Sequence, residues 1–120
     1  MDKGFKILER LLSLTGLRHG ILASNIANAD TPGYRRRDVK FETELANELP
    51  MKTTNTSHIS TGNSTSVPVI FTEEGDEWLD KNNVDLDIEM AKMTENALLY
   101  QAGINMLSTK IRMFRNALRR

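Results

Sequence analysis

The chain has no cysteine, so disulfides, thiolate metal sites and thiol nucleophiles are excluded at once. That lack suits a protein that works outside the cytoplasm without oxidative folding, and it equally suits a cytosolic one. There is no surplus of either charge: sixteen basic residues balance sixteen acidic ones. A nucleic-acid partner ordinarily demands a basic excess, so the balance argues against one. No apolar run approaches the roughly 18 residues that a membrane span needs. At the start, Glu9 and Arg10 interrupt what would be the core of a signal peptide, and no small-residue cleavage site follows cleanly. Delivery out of the cytoplasm, if it occurs, is therefore expected by a route without a cleaved signal. At 120 residues, one domain is the expectation.

The last third of the chain carries the strongest pattern. Met90, Ala97, Ile104, Ile111 and Leu118 stand seven apart, and so do Leu86, Met93, Tyr100, Leu107 and Phe114. Every one of these positions is apolar or aromatic. Such a repeat predicts a long helix with a narrow seam for another helix. At 1.5 Å per residue it runs roughly 50 Å, too long a rod for so short a chain to wrap in its own core. The seam is therefore expected to serve assembly, and an N-terminal helix can fill part of it while neighbours fill the rest.

A first helix is expected from about Phe5 to Ala29. Leu8, Leu11, Leu12, Ile21, Leu22 and Ile26 recur at three- and four-residue steps as its packing face. Gly16 and Gly20 weaken it and leave room for another backbone. Thr31 before Pro32 stops the helix, and Pro32-Gly33 suits a type II turn with glycine at positive φ. Asn25, Asn28 and Asp30 read either as helix-end caps or as a junction in which Tyr34 packs against a neighbouring helix or subunit. Arg35-Arg36-Arg37 reads as a solvated face rather than a nucleic-acid patch, because no aromatic platform accompanies it. Val39, Phe41 and Leu45 form a short extended or helical stretch.

From about Leu49 to Lys81, serine and threonine dominate, a composition that cannot bury a core. Val67, Val69, Ile70 and Phe71 are the strand candidate, and Trp78 and Leu79 a possible anchor. Asp85, Asp87 and Glu89 open the second helix, where acids complement the positive helix end, and Asp85 is the N-cap candidate. The expected fold is mainly α. Two long terminal helices (residues 1–34 with the turn, and 82–120) form one coiled-coil-like hairpin, joined by an irregular middle (35–81) with at most a small β element.

Sites for chemistry are not apparent. His19 and His58 lack ligand spacing, so no metal or other cofactor is expected. No Gly-x-Ser-x-Gly occurs, and the acids from Asp85 to Glu89 are explained by capping rather than as a poised acidic pair. The reading is a non-enzymatic protein.

Asn25-Ile26-Ala27-Asn28, followed by Thr31-Pro32-Gly33-Tyr34, resembles the N-terminal motif of the flagellar basal-body rod, hook and hook-associated axial proteins. Arg37-Asp38-Val39-x-Phe41-Glu42 and the stretches Asn82-Asn83-Val84-Asp85-Leu86-Asp87-x-Glu89-Met90-Ala91 and Glu95 to Ala102 are similar to the proximal rod subunits. The resemblance implies a structural subunit that polymerises through its terminal helices into part of the torque-transmitting drive shaft. It implies a basal-body location in the periplasm, reached through the flagellar type III export apparatus. The implied partners are copies of itself, other rod subunits, a basal adaptor subunit, and membrane-ring and export-gate proteins, with no nucleic acid and no membrane insertion. The alternative is a coiled-coil adaptor or chaperone holding one helical partner in a small closed complex.

Overall fold

A computed structural model describes residues 3–40, 68–74 and 81–119. Four elements follow in order: α1 (Lys3–Ala27), β1 (Arg37–Val39), β2 (Ile70–Thr72) and α2 (Leu86–Leu118). The expected Phe41, Leu45, His58, Val67, Trp78 and Leu79 lie outside the described residues, as does most of the Ser/Thr-rich stretch. The architecture is mainly helical, with the two long helices packed together and one small antiparallel sheet.

α1 forms because its apolar residues recur on one side, and it lies between α2 and β1. Leu14, Ile21 and the Val39 of β1 make one buried cluster. Leu22, Thr15 and Asn25 are buried as well. The helix ends two residues sooner than the sequence suggests. The Nδ2 of Asn28 donates to the carbonyl of Ser24 at 2.8 Å, adding a second donor to the carbonyl that already accepts the Asn28 backbone N–H at 3.1 Å. Asn82, which leads into α2, donates to the carbonyls of Asn28, Ala29 and Thr31 at 2.8–2.9 Å. Those carbonyls thus take a donor from across the fold, beside the Thr31 N–H that reaches the Asn28 carbonyl, where a continuing helix would have supplied its own amides. The type II turn follows: Tyr34 N–H donates to the Thr31 carbonyl at 3.2 Å, and Gly33 has φ +75°.

β1 and β2 pair with Arg37 opposite Thr72, Asp38 opposite Phe71 and Val39 opposite Ile70. α2 begins at Asp85, whose carboxylate accepts from the amides of Asp87 and Ile88.

The face that α2 turns to α1 is not the apolar seam. Its buried residues are Glu89, Asn96 and Gly103, themselves seven apart, each one position before Met90, Ala97 and Ile104. One residue is about 100° of helix, so that half of the seam points well away from α1. The other half lies four residues further on, about 40° away, and Met93 and Leu107 are half-buried accordingly. At Gly103 the helices approach closely: a Cβ there would lie 3.0 Å from Leu12 Cδ2. The close approach expected at Gly16 and Gly20 is not found, since open space surrounds both. At the far end, Lys110 lies over the ring of Phe5 at 5.2 Å, and Phe5 meets Phe114 with centroids 5.4 Å apart.

Candidate assembly site

The structure brings the motif residues of the first helix and turn together with the start of α2 around a buried polar joint. Asn25, fully buried, sits at its centre with all its hydrogen-bonding capacity used. Its Nδ2 donates to the Arg37 carbonyl at 2.7 Å and to Glu89 Oε2 at 3.2 Å. Its Oδ1 accepts from Arg37 N–H and from the Tyr34 hydroxyl, both at 3.1 Å. The amide thus pairs with the backbone of β1 as another strand would, and fixes the turn to α1. Tyr34 Oη also lies 3.3 Å from Ser24 Oγ. Tyr34 is therefore held against its own helix α1. Asn28 is the cap, and Asn25 belongs to the joint.

The arginine triplet divides. Arg37 is exposed, but Arg36 is buried, which corrects the expectation of a solvated face. Arg36 is ion-paired with Glu89 and Glu73 and reaches Asp38 at 3.4 Å. Its N–H donates to Asn83 Oδ1 at 2.8 Å, and Asn83 Nδ2 donates to the Glu73 carbonyl at 2.7 Å. Burial works against the charge on Arg36, but the hydrogen bonds and charges of Glu89 and Glu73 outweigh it and its pKa is raised. Glu89 is likewise no helix-start cap: it is fully buried and bonded to Arg36 and Asn25. The sequence placed Asp85 correctly as N-cap, but it could not separate Glu89 from it, because the two differ only in what packs above them.

Asp38 takes a forked pair of bonds from Arg18 of α1, at 2.9 and 3.3 Å. Burial raises its pKa, but the hydrogen bonds from Arg18 and from Val39 N–H, with the charges of Arg18 and Arg36, hold it below the ordinary carboxylate range. A depressed native pKa means that the unfolded chain binds more protons in acid. The contribution of Asp38 is thus fully present above its unfolded pKa of about 3.9 and is lost as pH falls through the native value. Urea midpoints measured from pH 6 down to pH 2.5 are expected to fall below about pH 4, and Asp38→Asn to flatten that slope.

The seam residues are distributed unevenly. Leu86, Met90, Ala97, Tyr100, Ile111, Phe114 and Leu118 are exposed, while Met93, Ile104 and Leu107 are half-buried. Of thirteen exposed large hydrophobic residues among those described, ten lie on α2. On α1, Ile21 and Leu22 are buried, and Leu8, Leu11, Leu12 and Ile26 are half-buried. In the turn, Ala27, Thr31, Pro32 and Gly33 are exposed. Among the described residues no cluster of side chains could hold a metal, and no helix is long and apolar enough to cross a membrane.

The described residues thus form a helix pair stapled by a buried polar joint, with an uncovered heptad stripe along the longer helix. The family model for flagella basal body rod proteins matches residues 17–35, the second half of α1 and the turn. The flagellar basal body rod protein FlgB of Salmonella typhimurium is 32% identical over 98% of this chain and 94% of its own length. FlgB of Aquifex aeolicus is 32% identical over 82% of this chain and 79% of its own, and that of Cereibacter sphaeroides 34% over 83% and 81%. The class is thus a structural subunit of the flagellar basal-body rod, and the adaptor alternative is not favoured. Within that class, the chain belongs to the family of the proximal rod protein FlgB.

Proposed function

We propose that the chain polymerises through the α2 seam, with its own α1 filling one side and neighbouring subunits the other, to form part of the proximal rod. What carries the reading is the uncovered apolar stripe. Leu86, Met90, Tyr100, Ile111, Phe114 and Leu118 stay between 43% and 85% exposed although they repeat in strict heptads. Fully burying a wholly exposed side chain of this kind contributes roughly 1.5–3 kcal/mol; most of these start half-covered, so each contributes on the order of 1 kcal/mol and the six together still favour assembly. Contacts between unlike faces propagate as a helical filament where the rotation between neighbours does not close a ring.

The partners on this reading are further copies, other rod subunits, a basal adaptor subunit, and the membrane-ring and export-gate proteins at the rod's base. The site of action is the periplasm, reached through the flagellar export apparatus, and the role is mechanical rather than catalytic. Loading the joint in torsion suits a buried ion-pair network, whose geometry is directional where apolar packing is not.

The test is Ile111→Asp. This side chain is 51% exposed in the single chain, so the variant should keep its helix content and urea midpoint. It is expected to abolish swimming and rod assembly, because a carboxylate then sits in a buried seam. Normal swimming by this variant would overturn the reading.

A further inference from the structure

α2 carries a second apolar flank on the side opposite the seam. Leu99, Met106 and Met113, seven apart, follow the α1-facing residues Asn96, Gly103 and Lys110 by three positions, which places them about 60° to the other side. Met106 and Met113 are about 60% exposed. With Gly4, Ile7 and Leu8 of α1, and Lys110 at the rim, they form a groove of about 570 Å³. Two unlike apolar flanks on one helix are what a head-to-tail contact needs.

Charge says which part of a second copy enters. From Asn96 to Arg120 there is no acidic residue and there are five basic ones. Lys3 and Lys6 lie in the first turns of α1, at the same end of the helix pair. The start of α2 has the opposite character: Asp85, Asp87 and Glu95 stand there against the single Lys92, with Glu89 already buried and paired to Arg36. Its outer side is apolar, with Leu86 and Met90 half-exposed and Asp87 beside them. Methionine side chains are unbranched and pliable, and adapt to such an insert.

We propose that the acidic, apolar start of α2 (Leu86, Asp87, Met90) of one copy docks in the basic-rimmed methionine groove between α1 and the end of α2 of a second copy. The contact is heterologous and repeats along the assembly axis. It rests on the rod reading and adds to it the direction in which subunits join.

The absence of native cysteine makes the test clean. Full-length chain carrying both Met90→Cys and Met113→Cys is oxidised at low salt and run without reductant. A ladder rising beyond the dimer is expected, with monomer only from either single variant. Dimers from a single variant would mean a symmetric contact and overturn the proposal; so would the lack of a ladder, or cross-links that form only when another rod subunit is added. Leu86→Cys with Met106→Cys repeats the test should the first pair disturb the helix. Asp87→Lys and Lys110→Glu should each lower the ladder's yield at least tenfold, and together restore it; yields indifferent to both would overturn the charge assignment. Ile111→Asp separates the two readings. Lost swimming without a ladder overturns the docking alone, whereas a ladder beside normal swimming of Ile111→Asp overturns the rod seam.

Discussion

Arg36→Met is expected to cost about 3–5 kcal/mol of folding stability, the range for removing one partner of a buried ion pair. The methionine keeps much of the side chain's length but leaves the fully buried Glu89 with Asn25 as its remaining bonded partner, and strips Asp38 of one of its two arginines. A small domain has some 5–15 kcal/mol in total, so the helix signal should melt at markedly lower urea. The large part of that loss comes from stranding a charge rather than from losing an attraction. It follows that Arg36→Met combined with Glu89→Leu should be less damaging than the sum of the two single changes. Additive losses in this cycle would show that the pair acts independently. An urea midpoint unchanged by Arg36→Met alone would mean that the joint contributes nothing to the fold.

Asn82→Asp is the second large effect, on the order of 3 kcal/mol, and it is nearly isosteric. The Nδ2 of Asn82 supplies the carbonyls of Asn28, Ala29 and Thr31, while its Oδ1 accepts from Val84 N–H at 2.8 Å. Asp keeps the acceptor and turns the donor into a carboxylate oxygen facing three carbonyls at a site that is 1% exposed. The chain end of α1 then loses its tie to the start of α2. Protection of the amides from Asn28 to Tyr34 in hydrogen exchange should drop together with global stability. Because a protonated Asp can again donate, lowering the pH should recover part of the loss, whereas Asn82→Ala should show no such recovery. Identical behaviour of the two variants across pH would sink the assignment of the amide as donor.

The two changes act on one joint, and its parts were unequally legible in the sequence. The heptad, the Pro32-Gly33 turn and the Asp85 cap are local matters of periodicity, fixed φ and a side chain reaching its own neighbours. They could be read without knowing what lies across the fold. Arg36 could not, since between two exposed-looking arginines nothing local distinguishes the one that folds inward. The Asn25 amide is similar: capping its own helix and binding a strand twelve residues on use the same donors and acceptors.

By itself the sequence determined two amphipathic helices, the stop between them and the excess of apolar surface on the second, because each is set by spacing along one strand of chain. Only the tertiary structure decided which stripe of α2 meets α1. The answer was Glu89, Asn96 and Gly103 instead of the apolar seam one residue later. The physical reason lies in long-range partners: Glu89 finds Arg36, Asn96 Nδ2 finds the Thr15 carbonyl at 2.9 Å, and Gly103 admits Leu12. Those contacts rotate the helix so that its polar and smallest positions face inward, and much of the hydrophobic stripe is left on the surface.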